Sequence, residues 1–215
     1  MFRRLISAVA LIGAAAFAAP AAAQESVYTS LDLAACAQMP AEGRAEQPNV
    51  WVCDGYAGYW VLVLEAEGRF YVSYARYFPE AQPAVYETLE PLSNINDVLE
   101  WRLDAAGNPV ATILRFFVHD TGTMGGGEGQ VLVVTKLDPE ACHIAYIDAG
   151  AVADANVLAR EVADLVPRGF ACMQHSPVFF ALDDEPGMPL FDLPGTEPPV
   201  ISDEIRDFVR LQLGA

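Results

Sequence analysis

Four cysteines, Cys36, Cys53, Cys142 and Cys172, in a chain that opens with an export leader constrain this protein more than any other feature. The leader has basic Arg3 and Arg4, an apolar stretch from Leu5 to Phe17, and small Ala21-Ala22-Ala23 after Pro20, which predicts cleavage before Gln24. That stretch is too short for a spanning helix and has no stop-transfer pattern. The expected location is therefore the periplasm, an oxidising space in which an even cysteine count reads as a disulfide framework. Three pairings are open, and proximity favours Cys36 with Cys53 and Cys142 with Cys172. On the chain-entropy model each such loop closure contributes roughly 3–4 kcal/mol. No cysteine belongs to a C-x-x-C pair, so a thioredoxin-like site or a zinc knuckle has no support. Leu33-Ala34-Ala35-Cys36 has the look of a lipobox. A lipid-bearing cysteine directly follows the apolar stretch, however, whereas Cys36 comes after Gln24, Glu25, Ser26, Thr29 and Asp32, so lipoprotein anchoring is not expected.

Acidic residues number 29 against 12 Lys and Arg, for a formal net charge of -17, and loss of Arg3 and Arg4 with the leader takes the mature chain to -19. This argues against nucleic acid or anionic lipid as a partner. It suits solubility, cation binding or docking onto a basic protein or envelope component. Residues 24–215 suffice for one core with an appended tail. They contain no second apolar run of spanning length, so membrane insertion of the mature chain is not expected.

The fold class predicted is α+β: a curved antiparallel sheet with one helix packed on it, over residues 24–174. Val50–Cys53 reads as a short strand. Tyr59–Glu65 and Arg69–Tyr74 flank the turn Ala66-Glu67-Gly68, and both are rich in aromatic and β-branched residues. A second hairpin is expected from Leu99–Leu103 to Val110–His119, turning through 105–108, with Pro109 where a missing N–H is tolerated. Gly122–Gly129 reads as a loop, with strands at Val131–Leu137 and His143–Ile147. In Asp154–Val166 the residues Ala155, Leu158, Ala159, Val162, Leu165 and Val166 form one apolar stripe. Asp154 is the expected N-cap, Arg160 and Asp164 are spaced to pair, and Pro167 stops the helix. Residues 175–215 form a Pro-rich extension whose terminal helix starts at Ser202 and has Ile205, Phe208, Val209 and Leu213 as its apolar stripe.

Motifs for nucleophilic, zinc-hydrolase or EF-hand chemistry are absent, and Gly122–Gly129 lacks the ending of a P-loop, so no catalytic, metal or cofactor residue is assigned. His119 beside Asp120 is a candidate base and orienter, yet neighbouring strand residues point to opposite faces. Nothing in the spacing brings His119, His143 and His175 together. Asp183-Asp184-Glu185 reads as an acidic solvent turn before it reads as a cation site. The candidate partner or ligand face is aromatic: Tyr56, Tyr59, Trp60, Tyr71 and Tyr74. Alternation sends Trp60, Leu62 and Leu64 to one face and Tyr59, Val61 and Val63 to the other. Both faces are apolar, and burial is the default reading. Exposure would give a platform for sugar rings or a protein partner.

Short stretches together resemble a group of uncharacterised small exported proteins of Gram-negative bacteria. They are Tyr28-Thr29-Ser30-Leu31-Asp32 before Cys36, Cys53-Asp54-Gly55 with Gly58-Tyr59, Trp101-Arg102, and Cys142-His143-Ile144-Ala145-Tyr146-Ile147-Asp148. Asp154-Ala155-Asn156, Ala159-Arg160, Ala163-Asp164 and Phe170-Ala171-Cys172 complete the likeness. It implies the same compartment and cysteine pairing and carries no activity. The leading functional expectation is a non-enzymatic binding protein, in one version an inhibitor of a basic envelope-attacking enzyme such as lysozyme. The alternative is a hydrolase with paired carboxylates, or a carbohydrate-binding module, acting on a cell-envelope glycan.

Overall fold

The computed structural model describes residues 25–39, 48–76, 88–89, 92–119, 128–172, 174–175 and 177–180. Their strands are β1 (Ser26–Ser30), β2 (Ala37–Gln38), β3 (Asn49–Asp54), β4 (Trp60–Ala66), β5 (Arg69–Ala75), β6 (Leu92–Leu103), β7 (Pro109–His119), β8 (Glu128–Lys136), β9 (Cys142–Asp148) and β10 (Val178–Phe180). One helix, α1 (Ala155–Leu165), lies between β9 and β10, and a 3-10 turn at Leu33–Ala35 precedes β2.

The strands form two sheets where the sequence predicts one. A four-stranded antiparallel meander runs β2-β3-β4-β5, and a six-stranded sheet runs β1-β6-β7-β8-β9-β10. The large sheet is antiparallel except for β10, which pairs parallel with β9. The physical reason lies in β4. Tyr59, Val61 and Val63 join the main core with Leu99, Trp101, Leu114, Phe116 and Val133 of the large sheet, so the two sheets pack face to face. The opposite residues, Leu62 and Leu64, are buried in a separate cluster with Val50, Val52 and Tyr71. Helix α1 covers the far face of the large sheet, where Ala155, Ala159, Val162 and Ala163 meet Ile113, Leu132, Val134, Ile144 and Ile147. The layers are therefore sheet, sheet, helix, an α+β arrangement dominated by β-structure.

Local chemistry sets the turns. Ala66 pairs with Arg69, leaving a two-residue turn in which Glu67 and Gly68 both take positive φ, 53° and 76°. Between β6 and β7, Asp104 Oδ1 accepts the N–H groups of Ala106 at 2.9 Å and Asn108 at 2.8 Å. These bonds, those to Asn108 first, hold its carboxyl below the usual range. Gly107, φ 83°, supplies the reversal. Two disulfides, Cys36–Cys53 and Cys142–Cys172, close the framework. The second ties the segment after α1 to the start of β9. Such bridges belong to an oxidising compartment. None of the described helices is long and apolar enough to cross a membrane.

Beyond β10, the Pro-rich stretch and the helix expected from Ser202 lie outside the described residues, as does the leader.

Candidate functional site

One flank of α1 carries polar residues at four-residue steps: Asn156, Arg160 and Asp164. At 3.6 residues per turn these form a single row, and the row faces the large sheet. Each member bonds a different strand residue. Asn156 Oδ1 accepts from Arg115 Nη2 of β7 at 3.1 Å. Arg160 Nε and Nη2 donate to Glu100 of β6 at 2.7 and 3.2 Å. Asp164 takes a two-pronged pair from Arg102, at 2.9 and 2.7 Å. Glu100 and Arg102 can share this duty because residues two apart on a strand point to one face.

The edge strand β1 completes the seam. Ser26 donates to Glu100 at 2.5 Å and accepts from Arg102, and the Tyr28 hydroxyl accepts from Arg160 Nη2 at 3.2 Å. Glu100 and Arg102 are buried, and the Glu100 carboxylate holds the Arg160 guanidinium above its usual value. The expected Arg160–Asp164 pair within the helix does not form, because both side chains find stronger, less solvated partners on β6. Asp154 takes the expected N-cap position, where its carbonyl accepts from Val157 and Leu158. It sits at φ 57° and its side chain makes no cap bond.

The seam opens onto a patch that faces water. Tyr28 is 53% exposed, Val98 45% and Val157 52%. Val98 pairs with Ser30, two residues along the β1–β6 ladder from Tyr28 and so on the same face, and Val157 precedes Arg160 by about one helical turn. Arg115 borders the same flank, half-buried and held by two neutral amides, Gln130 at 2.7 Å and Asn156. An exposed tyrosine and two valines around fixed guanidinium groups are the components of a contact surface. The sequence offered one signal for it, the 156-160-164 row.

The aromatic residues proposed as a partner face are placed otherwise. Tyr59, Tyr71 and Tyr74 are buried, while Trp60 and Tyr56 are half-buried. Tyr56, Tyr59 and Tyr74 gather around buried Trp101, with ring centroids 6.3, 5.6 and 5.8 Å away. Trp101 Nε1 donates to Thr29 at 2.8 Å. Tyr71 and Trp60 belong to the other side of the small sheet. The five residues are thus divided between two clusters on either side of the small sheet. The alternation that separates them was legible, and it led to core.

The three histidines are dispersed. His119 lies 3.7 Å from Glu128, while Asp120 is outside the described residues. His143 is buried, its Nδ1 2.7 Å from the Tyr146 hydroxyl, and desolvation pushes its pKa down to about 3. His175 Nδ1 accepts the Ala171 N–H at 3.1 Å. Among the described residues no three His, Cys, Asp or Glu side chains converge on a metal-sized site. Asp183-Asp184-Glu185 and residues 122–127 lie outside them, and Glu128 and Gly129 begin β8. Compared with family models, curated proteins and solved structures, the chain matches none.

Proposed function

We propose that this chain is a non-enzymatic, exported binding domain of the periplasm, released from its leader before Gln24, and that the Tyr28–Val98–Val157 patch is its contact surface. The observation that carries this reading is Tyr28: a large ring left half in water while its hydroxyl is held by Arg160, itself fixed on Glu100. A rigid, pre-oriented aromatic loses little entropy on binding, which is why such residues dominate interface energies. Long-range and local electrostatics have opposite signs here. The acidic chain draws in a basic protein, while Arg115 and Arg160 at the patch select a carboxylate on that partner's surface.

The test is affinity capture from periplasmic extract with oxidised residues 24–215, eluted by a salt gradient. A partner retained by the wild type, released by modest salt and lost on Tyr28→Ser/Val157→Ser supports the reading. A partner held equally by the double variant overturns this assignment of the surface. The inhibitor version has its own check, since lysozyme turnover unchanged at low salt by the mature protein would rule it out.

A further inference from the structure

The chain contains one lysine, Lys136, at the end of β8. Folding buries it to 4% exposure. Lysine is rarely buried unless an acid accompanies it, yet among the described residues no carboxylate forms an ion pair with Lys136. Its ammonium instead lies 4.0 Å from Sγ of Cys172, in the Cys142–Cys172 bridge. Strand register puts it there. Arg102, Ala111, Lys136 and Cys142 stand side by side across β6, β7, β8 and β9, on the face that α1 covers.

An intact disulfide carries no charge to balance an ammonium. A thiolate does. We propose that Cys142–Cys172 is a thiol–disulfide exchange site at which Lys136 stabilises the Cys172 thiolate, its reductant being a dithiol. One thiolate of that dithiol attacks Cys142 Sγ and forms a mixed disulfide. Cys172 leaves with the electron pair of the broken S–S bond and remains as a thiolate beside Lys136. The second thiol then displaces Cys142, which takes up that thiol's proton, and the dithiol departs as a disulfide. Two electrons have passed. A better-stabilised leaving thiolate directs attack to its partner sulfur, hence to Cys142. Both sulfurs belong to buried residues, so opening of the segment after α1 precedes attack. Reduction leaves α1, and with it Val157 and Arg160, fastened to the sheet by the polar seam without the bridge.

The experiment is equilibrium titration of residues 24–215 against reduced and oxidised dithiothreitol, with each cysteine pair followed by alkylation and mass spectrometry. Lys136→Met should shift the Cys142–Cys172 equilibrium toward the disulfide about tenfold, roughly 30 mV. Lys136→Arg should keep most of the wild-type value, and Cys36–Cys53 should not move in either variant. Equal constants in wild type and Lys136→Met overturn the proposal. So does a common shift of both bridges, which would report altered overall stability. A second measurement needs no variant: the Cys172 thiolate of the reduced wild type, followed by its ultraviolet absorbance against pH. A titration midpoint well below the ordinary thiol value of about 8.5 is expected, and one at or above it refutes the idea.

Discussion

Asp164→Ala tests whether the polar seam holds α1 on the sheet. The Arg102 side chain is 6% exposed and Asp164 25%, and they meet through two bonds of 2.9 and 2.7 Å. Removing one member of a fully buried pair costs about 3–5 kcal/mol, because an uncompensated charge stays behind. Here a quarter of the carboxylate sees water, Ser26 still binds Arg102, and Glu100 remains 3.8 Å from its guanidinium. The expected loss is therefore about 2–3 kcal/mol, measured by urea unfolding of the oxidised protein, or a Tm lower by about 5–10 °C for a chain of this size. The pair should be little screened by salt. Arg102→Met/Asp164→Leu, which removes both charges and refills the space, should recover most of the loss. Glu67→Gln is the control, because that carboxylate is 87% exposed and 3.5 Å from Arg69, so its removal should change stability by less than about 0.5 kcal/mol. A loss below about 0.5 kcal/mol for Asp164→Ala, or double-variant effects that simply add, would refute the reasoning.

Two further outcomes follow from His143 and Gly55. His143 gains a proton in the folded state only near pH 3, whereas the unfolded chain gains it near 6.5, so stability is full above about pH 6.5 and declines on acidification toward 3. Between pH 7 and 5 this group should account for about 2 kcal/mol; urea titrations of His143→Gln should show a pH dependence flatter by that amount, and an unchanged slope would mean the imidazole charges inside the fold. Gly55→Ala places a Cβ 2.6 Å from the Tyr59 carbonyl oxygen and 3.0 Å from the Trp101 ring, whereas at Gly169 it meets nothing within 4 Å. Thermal unfolding should show a loss of about 2 kcal/mol or more for the first and little change for Gly169→Ala, and equal effects would contradict this packing.

What the sequence disclosed was what depends on near neighbours. The β4–β5 hairpin, β7 and the extent of α1 lie within a few residues of their expected bounds, because alternation, turn glycines and Pro167 act locally, whereas β6 begins at Leu92, well before the expected Leu99. The disulfide partners agreed with proximity. Pairings between distant segments were not readable. Two apolar faces on β4 show that both are covered, and not that a second sheet supplies one cover. The same limit hid the seam. Arg160 and Asp164 looked complementary to each other, since nothing local shows that Glu100 and Arg102 approach from β6. Strand β10, the last among the described residues, also came from the segment read as extension, where Pro177 and the prolines after Phe180 hid three residues of strand character.

The pairing of β1 with β6 has a consequence for the order of assembly. Ser26–Ser30 hydrogen-bonds to Val98–Arg102, and Thr29 anchors Trp101 across 72 positions of chain. The run from β6 to β9 can zip up hairpin by hairpin, but the first strand must wait for a partner made much later, and closing so long a loop is slow. In a chain delivered amino end first, Tyr28 and its neighbours stay unpaired until residue 102 has arrived. The leading strand is thus a latch that engages late, and until it does the edge of β6 is open to any extended segment that reaches it first.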